Sequence, residues 1–190
     1  MGVNVRKIVN CDKIKKSGAE SDEAFKMKVL LCKLGKRLGF EVDIEEGQES
    51  ELGRLGIRHD VLWYEKTPEW FKELLTIIIS RDDLTPEYRE LIKKKLDLER
   101  YLYAAFEIEA TDVMTKAMKG DISNLSKLPY GIIVVLRGKP EVKKMKRKVE
   151  HVRNRFEKAL MEFRLLHGPN NVIVCSFSDI EELCRRLSVI

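Results

Sequence analysis

The sequence predicts a mixed-sheet α/β domain. Short apolar or alternating runs at 40–44, 57–64, 104–111, 130–138 and 171–177 have the length and spacing of strands. Longer stretches between most of them repeat their apolar residues at helical intervals, the pattern of an α/β layer structure. A length of 190 residues, 44% of them hydrophobic, supplies one sizeable core but not two independent domains. The expected organisation is a single domain over 1–190, with a helical insertion at about 68–100 and a basic C-terminal extension at about 139–190.

The first helix is expected over 21–38, with apolar residues at Phe25, Val29, Cys32 and Leu38, Ser17 or Ser21 as N-cap and Gly39 as its stop. "FEVDI" (40–44) alternates as a half-exposed strand, a glycine-punctuated loop follows, and "IRHDVLWY" (57–64) is the second strand. Two helical stretches come next, "PEWFKELLTIIIS" and "TPEYRELIKKKLDLERYL", the second capped by Thr85 with Pro86 in its first turn. The strand "AAFEIEAT" (104–111) precedes a helix over about 112–127. "YGIIVVLRG" (130–138) is apolar enough to be covered on both faces. A long helix over about 141–166, the strand "NVIVCSF" and the short helix "SDIEELCRRL" complete the chain.

Alternation on "AAFEIEAT" sends Phe106, Ile108 and Ala110 to one face and Glu107, Glu109 and Thr111 to the other. Two carboxylates on one face near a core repel, and burial raises that cost unless positive charge lies between them. On an exposed edge strand the pair is merely solvated. A third acid changes the expectation: Asp60 lies in the preceding strand, and pairing of 57–64 with 104–111 puts it beside Glu107. A divalent cation, Mg²⁺ or Mn²⁺ in its place, relieves such a cluster, since Mg²⁺ takes one or two carboxylates with water and substrate phosphate.

An acid in the second strand ("RHDVLW"), acid-x-acid in the third ("FEIE"), then a helix and an apolar fourth strand resembles the PD-(D/E)XK nuclease superfamily over roughly residues 18–138. The resemblance implies the restriction-endonuclease-like fold, shared with type II restriction enzymes and archaeal Holliday-junction resolvases, and a Mg²⁺-dependent endodeoxyribonuclease. It implies that Asp60, Glu107 and the backbone carbonyl of Ile108 hold the metal, with Glu23, or else Glu20, contributed by the first helix. The sequence departs from the pattern twice. His59 stands where proline is usual, and Glu109 stands where lysine is usual. Some restriction enzymes carry glutamate at that position, and in other members the lysine has moved to the following helix, where this chain has Lys116 and Lys119. The implied roles are water activation or second-ion binding for Glu109 and positive charge at the scissile phosphate for Lys116. The alternative is a non-catalytic DNA-binding or scaffolding protein that retains the fold.

The formal net charge is +5, and the stretch 139–158 has nine Lys and Arg against three Glu, so the rest of the chain is close to neutral. Val142, Met145, Val149, Val152, Phe156 and Leu160 recur at three- and four-residue steps, anchoring one face of this helix. Lys143, Lys144, Lys146, Arg147, Lys148, Arg153 and Arg155 are left for a phosphate backbone, so DNA is the expected partner. The same spacing suits a homodimer, as cutting both strands of a duplex with two-fold symmetry would require.

Other classes are disfavoured. The three histidines form no HxxxH or HxH pair, and no GxxxxGK[ST] loop occurs. No apolar run approaches the roughly 20 residues of a membrane span, and no signal-peptide h-region opens the chain, so the expectation is a soluble cytoplasmic protein without a membrane partner. Cys11, Cys32, Cys175 and Cys184, with no CxxC pair, are expected as buried reduced thiols. Trp63 and Trp70 are expected in the core. Charged residues reach 35% and Gln occurs once, at Gln48, a composition of archaeal or thermophilic type.

Overall fold

Ser21 accepts a hydrogen bond from the Ala24 N–H at 3.1 Å and starts helix α1 (Asp22–Arg37), which ends before Gly39 at φ +88°. The computed structural model describes residues 9–18, 20–44, 59–109, 115–137 and 143–190, without the side chains of 115–118 and 143–149. The expected loop after 44, the start of the second strand, Ala110, Thr111 and Val142 lie outside the described residues.

Five strands follow the chain order across one sheet: β1 (Glu41–Ile44), β2 (Val61–Lys66), β3 (Arg100–Glu109), β4 (Tyr130–Val135) and β5 (Val172–Ser176). The pairs β1–β2 and β2–β3 are antiparallel, and β3–β4 and β4–β5 are parallel. The protein is thus an α/β structure with a mixed sheet. Its other helices are α2 (Glu69–Ile79), α3 (Pro86–Leu96), α4 (Thr115–Leu125), α5 (Lys143–His167) and α6 (Phe177–Arg186).

Strand alternation divides the interior in two. Val61, Trp63, Ala104, Phe106 and Val134 face Met27, Leu30, Leu31 and Leu34 of α1 and Phe177, Ile180 and Cys184 of α6. Leu62, Ala105, Ile133, Val135 and Val172 face Ile122 and Leu125 of α4 and Val152, Phe156 and Ala159 of α5. The sheet is therefore covered on both faces. Gly35 brings α1 against it: a Cβ there would stand 2.6 Å from Trp63 Nε1. The Trp63 indole N–H donates to the Leu31 carbonyl at 3.2 Å, fixing the height of α1 on the sheet.

Several expectations are corrected. The buried stripe of α1 runs through Met27, Leu30, Leu31 and Leu34, while Leu38 is exposed, because the helix ends before that position comes round. The second strand is recognised only from Val61, although Asp60 N still donates to the Phe106 carbonyl. The helix expected to run into "ERYL" stops at Leu96, and Arg100 to Leu102 join β3 opposite Lys66 to Tyr64, where aromatic and apolar side chains suit a strand. Trp63 is in the core, but Trp70 is 69% exposed on α2. Cys11 and Cys32 form a disulfide, and only Cys175 and Cys184 are free thiols. Burial pushes the Cys175 thiol up to about 12, so it is held protonated.

Candidate active site at the ends of β2 and β3

Antiparallel pairing of Val61 with Phe106 continues one residue beyond the strand and sets Asp60 against the end of β3. Asp60 Oδ2 accepts the Ile108 N–H at 2.7 Å. Phe106 and Ile108 pack toward α1, so Glu107 and Glu109 lie on the α4 side by alternation. The backbone of Ile108 thus enters the site through its N–H, locking the Asp60 carboxylate.

His59 is 2% exposed, and its Nδ1 is 2.6 Å from Oε1 of Glu107, whose carboxylate accepts. Glu109 lies close enough to Asp121 of α4 to feel its charge. Burial, then Asp121, then Glu107 and Asp60 raise the Glu109 carboxyl from 4.5 to about 8, so the site holds on to protons that an exposed carboxylate would release. Burial also raises Asp121 and Asp60; Asp60 is opposed by the Ile108 N–H and by Lys28.

The cation at this cluster comes from α1. Lys28 Nζ lies 2.8 Å from Glu20 Oε1 and 3.6 Å from Asp60 Oδ1, and all three side chains are largely buried. Burial works against the ammonium, but Glu20 and Asp60 outweigh it and hold its pKa above the ordinary value. Glu23 takes a different partner, accepting the Arg137 N–H at 2.9 Å just beyond β4. Of the two candidates from the first helix region, Glu20 is the one ion-paired into the Asp60 cluster.

Lys116 falls in α4 with its side chain outside the described residues, and Lys119 is exposed. Lys143, Lys144, Lys146, Arg147 and Lys148 fall in α5, again without described side chains. Arg153 pairs with Glu157 at 3.3 Å, and Arg155 is half-buried. The apolar stripe of α5 is committed inward: Val152 and Phe156 are buried and Leu160 packs against them, which removes this part of the helix as a dimer face.

Two members of the cluster were not singled out by the sequence reading. Lys28 precedes the fully buried Leu31 and Cys32 by three and four residues, so helical period puts it on the buried stripe of α1, an unusual place for lysine. Asp121 precedes the fully buried Leu125 by four residues in the same way.

The donors are hard carboxylate oxygens, the chemistry that suits Mg²⁺. Asp121 Oδ2 is buried with no hydrogen-bond partner, beside a Glu109 carboxyl whose hold on its proton is raised by burial and by neighbouring acids. Among the described residues no three His, Cys, Asp or Glu side chains are drawn together as a ready ion-binding group. In comparisons with family models, curated proteins and solved structures the chain gives no significant match.

Proposed function

We propose that the protein is a Mg²⁺-dependent endodeoxyribonuclease with a restriction-endonuclease-like fold. The observation that carries this reading is the placement of Asp60, Glu107 and Glu109 at the adjoining ends of two paired strands, with Lys28 3.6 Å from Asp60. Strand order and the antiparallel, antiparallel, parallel sequence of pairings in β1 to β4 support the same fold.

Asp60 and Glu107 are the residues that would hold Mg²⁺ or Mn²⁺, with Asp121 available beside them. A bound ion would supply Lewis-acid polarisation of the phosphate and a more acidic water. The chain's own residues do the rest. The Ile108 N–H fixes the Asp60 carboxylate, His59 orients Glu107, and the unprotonated carboxylate of the Glu109 and Asp121 pair would accept the proton that the attacking water loses. Lys28 takes the part of the cation missing at position 109, facing charge that develops on the phosphate. The basic face of α5 binds the DNA backbone, and the protein acts as a homodimer inside the cell.

A second reading, a DNA-binding scaffold on the same fold, is favoured by one observation: Asp60 and Glu107 are already occupied by Lys28 and His59. Cleavage of supercoiled plasmid, linear duplex and a four-way junction, with Mg²⁺ and with EDTA, separates the two. The nuclease predicts metal-dependent cutting, abolished in Glu107→Ala and reduced at least about 100-fold in Lys28→Met. Equal DNA binding by all three proteins with no cutting by the wild type would establish the scaffold instead.

A further inference from the structure

Helices α2 and α3 form a hairpin inserted between β2 and β3. Leu75 and Ile92 are buried in it, apart from both main cores. Its outer side is apolar. Trp70, Leu74 and Ile77 are exposed by 69, 43 and 64%, and their spacing of four and three residues puts them in one row on α2. Tyr88 and Leu91, three apart, make a second row on α3. Following the roughly 100° step of an α-helix outward from Leu75 and Ile92 turns both rows to the same side of the antiparallel pair.

Side chains of this size offer about 150–250 Å² each when fully exposed. The observed fractions therefore leave on the order of 500 Å² of largely apolar surface, near the top of what a monomer tolerates. A protein–protein interface of standard size takes about 800 Å² per partner, so these two rows can supply its apolar centre and the charged residues beside them its rim. Charge fits as well. Glu69 and Glu73 are exposed at one end of α2, and Lys93, Lys94 and Lys95 are exposed at the adjacent end of α3. A two-fold axis parallel to the helices lays α2 of one copy on α3 of the other and brings the acidic end over the basic one.

We infer that a second copy of this chain covers the outer face of the α2–α3 hairpin, closing an intermolecular four-helix bundle. This surface replaces the part of the α5 stripe, Val152, Phe156 and Leu160, that the core consumes, and it is independent of the chemistry at Asp60. Trp70 lies at the interface while Trp63 is buried within each copy, so tryptophan emission reports the association.

The test is sedimentation equilibrium of the full chain over a wide dilution series, with tryptophan emission followed in parallel. The wild type should have twice the monomer mass and shift its emission to the red as it dissociates. Trp70→Glu combined with Ile77→Glu should be monomeric, with dissociation at least about 100-fold easier and unchanged far-ultraviolet circular dichroism. Leu165→Glu, on the exposed end of α5, should leave the dimer intact. A wild type that is monomeric throughout overturns the proposal without any variant being needed. So does a dimer that survives the double substitution or is broken by Leu165→Glu.

Discussion

Glu109 is the residue on which the site turns. Its folded carboxyl is raised from 4.5 to about 8, chiefly by burial and then by Asp121. The native state therefore keeps a proton that the unfolded chain releases, and the stability associated with that proton is full below the unfolded pKa and lost as pH rises through about 8. Asp60 and Asp121, also raised, act in the same direction. Urea unfolding of metal-free protein from pH 5 to 8 should show stability falling with pH, and Glu109→Gln should flatten the decline. A slope that Glu109→Gln leaves unchanged would remove Glu109 as its source. The acids of this site were legible because strand alternation and order of elements are local signals. Lys28 was less so: its lysine character suggests solvent, and only the packing of α1 on Trp63 brings it to Asp60.

At the scale of elements, the order of helices and strands was readable from periodicity, and the caps at Ser21 and Thr85 fell where hydroxyls precede helical runs. Boundaries shifted where pairing overrode propensity, as at Arg100 to Leu102, which a helical reading had absorbed. The Cys11–Cys32 bridge had no signal in the spacing. It exists because the segment before α1 turns back along the helix, where Cys11 joins the same core as Leu31. With its cysteines 21 positions apart in sequence, the bridge should contribute about 2–4 kcal/mol. Urea midpoints with and without reductant, compared with Cys32→Ser, measure it; equal midpoints would mean that the closed loop adds nothing.

For the whole molecule, exposed apolar side chains occur both on the α2–α3 hairpin and at the far end of α5, where Met161, Leu165 and Leu166 are exposed. The basic stretch of α5 and the apolar hairpin of α2 and α3 belong to different parts of the fold, and the carboxylates gather at the ends of β2 and β3. No helix among the described residues is long and apolar enough to cross a membrane. Composition exposed the basic concentration, because charge survives any fold; the hairpin's outer face was hidden, because Trp70 reads as core until tertiary packing leaves it outside. DNA affinity should fall steeply with salt, in proportion to the phosphates neutralised.

Calorimetric titration of Mn²⁺ into the metal-free protein tests whether the acids around β2 and β3 form a divalent-cation site. The expected result is saturable binding at neutral pH that is lost in Asp60→Asn and in Glu107→Gln, with heats that change with the buffer as Glu109 gives up its proton. No binding by the wild type, or binding that both substitutions leave unchanged, would contradict it.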